Sequence, residues 1–509
     1  MIVLRLTLLL FLSAFILFAF APDAHAQDSD FERWQREQQQ AFDQFIDDEN
    51  RRFADFLRRQ WSSFEPEAAE PVPEEAPKPA ETPVAPEPDE QPDPVDVQPE
   101  PVEEEDPAEE TPEPEIRDVP PSPPLPPPPP VRSTPERAPG LSTLPPELRF
   151  EWHHHQAPMP PLSVARTFSV SQLNNETIAD AWLEMAESNY EEVLSTLQAF
   201  SEKQQLNEWM FALLVKDYSR QVFTGHNEAV FLSWFLLHNS GFHANAGYSA
   251  NMLHLLMPVS ERLYNQDYYT IGSERSRFYV MRAGHTPVEK PGSIRTYTPD
   301  EGTQLAVLSM YLHAAPVPVS YASASPRSFS FNGSTYSFSF GYEESYTSLL
   351  GAFPSMEPEF FFSAPVSAGL HQQFEEQLRP VIEQMETAEA LNFLLRFAQT
   401  AFDYKTDRDQ FGRQKYMTPD QIMHHPYSDC DDRAILFSWL VRTLMDKQVI
   451  GVSWPGHMAT AVRTNSVAGS QLQFNGDNYI ICDPTYINAT AGMVMPDFRG
   501  LEATVHPFE

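Results

Sequence analysis

The sequence predicts an α+β protein behind a long non-globular front. Three observations carry this. Apolar residues recur at helical spacing through 175–223, 369–402 and the stretch after Cys430. Short strand-like segments lie at 328–340 and around His457 and Asp483. The 49 prolines crowd towards the N-terminus. A chain of 509 residues is long enough for two or three domains.

Residues 1–26 read as a cleaved signal peptide. Arg5 supplies the positive start, Leu6 to Ala21 the apolar run, and Ala24-His25-Ala26 the small-x-small cleavage site. The expectation is an exported protein, periplasmic or associated with the cell envelope. No later stretch is apolar enough to span a bilayer.

Residues 27–64 hold an internal repeat. Phe31, Phe42, Phe53 and Phe64 recur every 11 residues, and Trp34, Phe45 and Phe56 follow three positions later. Eleven residues make almost a whole number of helical turns, so the aromatics form one stripe on an amphipathic helix. Such a stripe packs on its own protein, on a second copy, or on a membrane surface. Acidic residues among the arginines favour protein contact or self-association through 28–64.

Residues 65–150 are Pro/Glu-rich. Within them 65–118 carry 21 acidic residues against Lys78 and Arg117, half of the net charge of −38. A segment of this composition cannot bury a core and is expected to be disordered, a spacer. The charge therefore says little about the folded part. No basic, aromatic-laced surface is present, which speaks against a nucleic-acid partner. His153-His154-His155 at the edge of the linker is expected to be incidental rather than a metal site.

The folded part is expected to begin near Leu162, with a first module over 160–290. Asn175 to Phe200 and Leu206 to Phe223 read as helices. Residues 291–365 are β-rich, and Ser328 to Phe340 alternates on both sides of Asn332-Gly333, a hairpin signal. They are expected to form a small β module. Residues 366–509 form the last module, opening with helices over Gly369 to Met385 and Ala388 to Phe402.

The chemistry-bearing residues lie in that last module. Ala434, Phe437, Leu440, Val441 and Leu444 mark one buried face of a helix. Asp429 is a good N-cap, which puts Cys430 in the first turn, where the helix dipole favours thiolate. Asp429, Asp431 and Asp432 oppose that, so the thiol needs a partner. His457 opens one strand and Asp483 ends the next. The set offers a nucleophile, a base and a group that orients the base. Cys482, next to Asp483 in a strand, is expected to point to the opposite face and to be buried core, not a disulfide partner for Cys430.

Tyr427-Ser428-Asp429-Cys430-Asp431-Asp432-Arg433-Ala434, Trp454-Pro455-Gly456-His457 and Ile481-Cys482-Asp483-Pro484-Thr485 together resemble the catalytic core of the transglutaminase-like superfamily, relatives of the papain-like cysteine peptidases. The resemblance covers about 390–497. It implies Cys430 as nucleophile, His457 as base, Asp483 as imidazole partner, and acyl transfer from an amide of a protein or peptide substrate through a thioester. Hydrolysis and protein cross-linking both fit it. It also implies a second oxyanion donor besides the Cys430 N–H, with Gln421 and Tyr416 as candidates. Some members hold calcium near the nucleophile, which would involve Asp429, Asp431 and Asp432. Read from the residues, those acids suit a helix N-terminus and no metal or other cofactor is expected. Zinc on His424, His425 and Cys430 would silence the thiol.

The earlier stretch Asn227 to Leu237 aligns with Asp432 to Arg442 at Ala229/Ala434, Ser233/Ser438 and Trp234/Trp439. Cys430 then falls on Gly225. Tyr218 and Gly225 are separated by six residues, against 25 between Tyr404 and Cys430. The expectation is a degenerate transglutaminase-like half that kept the fold and lost the nucleophile and its loop. A non-catalytic envelope scaffold is the competing reading of the whole chain. The intact Cys430, His457 and Asp483 set speaks against it.

Overall fold

The computed structural model describes residues 24–59, 61–72, 148–273, 275–281, 292–299 and 305–508. Most of the signal-peptide region and of the Pro/Glu-rich spacer lies outside these residues. The described chain is mixed α and β and divides into two compact units. The first gathers the described residues up to 72, from 148 to 320 and 344–357, and the second gathers 321–343 and 358–508.

The first unit opens with α1 (Ala24–Leu57), rich in Gln, Glu, Arg and Ala, which are strong helix formers. Its last turns are built into the unit. Asn50, Ala54 and Leu57 are buried. Phe53 packs against Trp182 at 4.6 Å and His238 at 4.2 Å between ring centroids. Asn50 Oδ1 accepts from Trp182 Nε1 at 3.0 Å, and Arg58 pairs with Asp180 at 2.8 Å. After the helix, β1 (Ser62–Phe64) adds to the edge of a sheet. The expectation that the folded part begins near Leu162, behind a disordered spacer from residue 65, is corrected here: the stretch from Asn50 to Val72 packs on this unit, with Glu67 N donating to Tyr268 O at 2.7 Å and Val72 buried. Sequence reveals an apolar stripe but not what covers it.

The hairpin of β2 (Arg149–Trp152) and β3 (His155–Pro158) turns on His153-His154, both at positive φ, 46° and 65°. His153 Nδ1 lies 2.8 Å from Ser348 Oγ. Helices α2 (Asn175–Ala186), α3 (Tyr190–Gln204), α4 (Glu208–Val222) and α5 (His226–Asn239) follow. Asn174 and Asn207 cap α2 and α4 by accepting from Thr177 N and Met210 N. Strands β4 (Asn245–Ser249), β5 (Met252–Pro258), β6 (Tyr268–Ile271), β7 (Ser276–Val280) and β8 (Ile294–Thr296) make an antiparallel sheet with β1, in the order β1-β8-β4-β5-β7-β6. Helix α6 (Glu344–Gly351) completes the unit.

The second unit begins with β9 (Tyr321–Ser323), the hairpin β10 (Arg327–Phe331) and β11 (Ser334–Phe338), and β12 (Gly341–Glu343), which pairs with β9. Asn332 and Gly333 form the turn, at φ 48° and 76°. Helices α7 (Pro358–Ser363), α8 (Ala368–Gln377), α9 (Arg379–Ile382) and α10 (Thr387–Thr400) follow. Then come β13 (Asp403–Tyr404), α11 (Asp407–Phe411), α12 (Pro419–His424), β14 (Tyr427–Ser428) and α13 (Cys430–Met445). The sheet is built from β15 (Val449–Trp454), β16 (His457–Arg463), β17 (Gln471–Phe474), β18 (Asp477–Cys482) and β19 (Thr504–His506), in the order β17-β18-β16-β15-β19. The β-rich stretch 291–365 does not stand apart. β8 joins the first sheet, and the β10–β11 hairpin lays Phe329 on Phe393 and Phe397 of α10, at 5.0 and 5.5 Å. Strands this short bury too little surface alone.

The two units share one topology. After α5 the strands lie β8-β4-β5-β7-β6, and after α13 they lie β19-β15-β16-β18-β17. Each is the same permutation of five successive strands. In each, the helix packs on the second strand after it and on an earlier helix, α4 or α10. Gly225 is the N-cap of α5 and Asp429 that of α13. Matched by caps, His226 occupies the place of Cys430, one residue from the sequence alignment. There His226 Nε2 meets Leu253 O at 2.9 Å, and Asn227 Oδ1 accepts from Leu253 N at 2.9 Å. Both bonds tie the helix start to β5. No described helix is long and apolar enough to cross a membrane.

Deleting 24–64 should lower the melting temperature of the protein, because Trp182 and Trp234 lose their cover. Leu57→Ala alone should cost about 2–5 kcal/mol in urea unfolding, the range for truncating a buried leucine. Unchanged midpoints for both would refute the docking.

Candidate active site

Cys430 is the first residue of α13 and is 1% exposed. The helix forms there because β14 ends and Asp429 caps it, with Asp432 Oδ2 accepting from Asp429 N at 3.2 Å. Asp432 Oδ1 also accepts from Met417 N at 2.9 Å, which fastens the preceding loop to the cap.

Arg433, one turn into α13, is buried and was not singled out by sequence. It donates to Ser428 Oγ at 3.2 Å, Gln399 O at 3.0 Å and Phe402 O at 2.7 Å. Burial pushes its guanidinium down to about 10, and Tyr404, Asp429, Asp432 and Cys430 draw it back up. This fixed cation at the start of α13 offsets the neighbouring aspartates. The sequence signal was a lone arginine beside an apolar helical face, which reads equally well as a surface residue.

His457 starts β16, directly after the Pro455-Gly456 turn. Its Nε2 lies 2.9 Å from Asp483 Oδ2, and both side chains are buried. Asp483 Oδ1 accepts from Thr485 N at 2.9 Å and Tyr486 N at 3.1 Å, so the carboxylate is held by its own turn. Phe498 stacks on the His457 ring at 4.8 Å and 7°, and Trp454 lies beside both rings, 5.3 Å from Phe498 and 6.1 Å from His457. His457 Nδ1 is buried and has no hydrogen-bond partner. Gln399 Nε2 donates to Asp483 O, Tyr486 O and Ala489 O at 3.1, 2.8 and 3.1 Å, which pins the loop after β18 to α10. Neither Phe498 nor Gln399 carried a motif. Their roles come from distant segments meeting.

Neither cysteine is in a disulfide. Cys482 is fully buried in an apolar cluster, and burial pushes its thiol well above the ordinary range. Gln421 Oε1 accepts from Thr418 N at 3.2 Å as part of a capping box, and its amide nitrogen makes no hydrogen bond. Tyr416 is buried with its ring 5.4 Å from Phe361.

Among the described residues, the group with metal-ligand spacing is Asp407, Asp429 and Asp431, their oxygens within 4.8 Å of one another. Asp432 is committed to the cap instead. The donor set is largely met by protein groups. Gln414 Nε2 bridges Asp407 and Asp431 at 3.0 and 2.9 Å, and Asp407 Oδ2 also accepts from Lys415 N. Asp429 Oδ2 accepts from Asp407 N, and Asp429 Oδ1 alone lacks a donor. The Gln414 amide thus sits between the Asp407 and Asp431 carboxylates. His425 lies 3.2 Å from Lys415 Nζ, and burial first, then that ammonium, push its imidazole down to about 3.

Asp420 is buried beside Ser367, whose N–H and hydroxyl both donate to it. Burial, with Glu343 adding to it, raises its carboxyl to about 6. The folded state thus holds this proton more tightly than the unfolded one. Its contribution to stability is greatest below about pH 4 and is lost as pH rises towards 6. Asp420→Asn should flatten the slope of the urea midpoint between pH 4 and 6 relative to the parent. Parallel slopes for the two proteins would exclude this carboxyl as the cause.

No family model, curated protein or solved structure matches the chain.

Proposed function

We propose that the chain is an exported cysteine peptidase or amidase of transglutaminase-like type, which cleaves an amide of a protein or peptide through a Cys430 thioester. The observation that carries this is the buried His457–Asp483 pair, with Nδ1 left unpartnered on a strand against which the Cys430 helix packs. The first unit lends support: the residue at the start of its matching helix, His226, touches the second residue of the matching strand.

His457 Nδ1 takes the Cys430 proton, and the sulfur attacks the scissile carbonyl. The Cys430 N–H, at the open end of α13, donates to the oxyanion that forms. Gln421, whose amide nitrogen is uncommitted, is the better second donor, and Tyr416 lines the same loop. Collapse of the tetrahedral species expels the amine, which receives its proton from His457. Water, deprotonated by His457, then releases the acid and restores the thiol. Asp483 accepts the hydrogen bond from Nε2–H throughout without taking the proton, so the ring keeps one tautomer and the imidazolium is stabilised.

The residues around this set are read the same way. The shared strand order supports taking 160–290 as a copy that kept the fold and lost the nucleophile, since buried faces and reactive groups are different residues. The pattern of residues 1–26 supports export.

Iodoacetamide labelling of the folded protein, mapped by mass spectrometry, should modify Cys430 well before Cys482. His457→Ala should slow labelling of Cys430 and lower turnover of a cleaved peptide about 10²–10⁴-fold, the usual worth of a general base. Equal rates at the two cysteines, or a Cys430 rate indifferent to His457→Ala, would sink the assignment.

A further inference from the structure

A cavity of about 590 Å³ lies in the second unit between the β10–β11 turn and one face of α10. That volume is within the usual range for small-ligand sites. Its lining is polar and mixed in charge, with Phe331 the one aromatic wall. Glu389 and Arg396 both line it. They are seven residues apart on one helix, which places them about 10 Å apart along the axis at 1.5 Å per residue.

Both charged groups have capacity left. Glu389 Oε1 accepts from Asn332 Nδ2 at 3.0 Å, and its second oxygen is uncommitted. Arg396 donates through one nitrogen to Asn488 at 2.7 Å, while its Nε is buried without a partner. No carboxylate offsets the burial that lowers the Arg396 guanidinium. Between them, Asn392 accepts from Ala491 N at 2.8 Å and keeps its Nδ2 unbonded.

We propose that this cavity binds a short peptide with free ends, its ammonium on Glu389 and its carboxylate on Arg396. The spacing selects the length: three residues at 3.3–3.6 Å each span about 10 Å. A single amino acid is too short to reach both groups. Asn392 faces the middle of such a ligand and donates to a peptide carbonyl. A saccharide would need neither charge, and a plain anion would meet Glu389 repulsively.

The site also touches the loop that carries Asp483. Arg396, Asn392 and Gln399 share a face of α10, and they hold Asn488, Ala491 and the carbonyls of Asp483, Tyr486 and Ala489. A bound peptide carboxylate on Arg396 would therefore brace this loop.

The test is calorimetric titration of the Cys430→Ala protein, so that binding is read whether or not Cys430 is a nucleophile. The probes are trialanine, N-acetyl-trialanine and trialanine amide. Trialanine should bind saturably, and blocking either end should weaken it about tenfold or more, as for loss of a charged hydrogen bond. Glu389→Gln should abolish the penalty for acetylation and leave the penalty for amidation. Arg396→Gln should do the reverse. If that variant does not fold, the three peptides and Glu389→Gln still decide. Absence of saturable trialanine binding, or equal affinity for the blocked peptides, would overturn the proposal. So would an acetylation penalty that survives Glu389→Gln.

Discussion

The buried guanidinium of Arg433 is the constraint on which the second unit depends. Its three hydrogen bonds join the end of α10, the turn after it and β14 to the first turn of α13. It also lies over the Tyr404 ring at 5.1 Å. A buried charge persists only when such partners are complete. Here that requirement fixes where α13 starts, and hence where Cys430 stands. The aspartates around the cap then have a cation to face, and their remaining oxygens collect N–H groups from Met417, Lys415 and Asp407. The loop 405–427 is held by those bonds together with Met417, Ile422 and Met423, which are buried in the apolar cluster shared with α10 and α13.

A second fastening works on the other side of the candidate site. α10 supplies Gln399 to the carbonyls after β18, while Asp483 folds its own turn onto Oδ1. His457 is thereby approached by a carboxylate that is already fixed, and by Phe498 stacked on its face. Ring orientation is set by packing and by one hydrogen bond, with Nδ1 left over. The first unit uses the same helix and strands differently. His226 and Asn227 there bond to the β5 main chain, so the junction proposed to carry chemistry in the second unit is closed by hydrogen bonds in the first.

Much of this was legible in the residues. The helix after Cys430, the Asn332-Gly333 hairpin and the strands bearing His457 and Asp483 follow from local periodicity and turn chemistry, which act over a few residues. Cys482 could be read as core because strand neighbours alternate faces. The likeness of Asn227–Leu237 to Asp432–Arg442 pointed to a common topology, since the buried face of a helix constrains its sequence. Asp432 sits in the cap, as acids at a helix N-terminus do, whereas Asp407, 22 residues before Asp429, joins Asp429 and Asp431 in an acidic group that no local pattern records. The aromatic stripe was seen, but its docking onto Trp182 and His238 was not.

The sequence by itself determined the element types, the helix start that presents Cys430, and the residues with the right chemistry. Each of these depends on neighbours in the chain. Tertiary structure alone decided that His457 meets Asp483 and that Gln399 and Arg433 hold the walls of the site. It also decided that the last turns of α1 are core rather than stalk. Those outcomes depend on groups many tens of residues apart, and no local pattern records which buried donor will find which carbonyl.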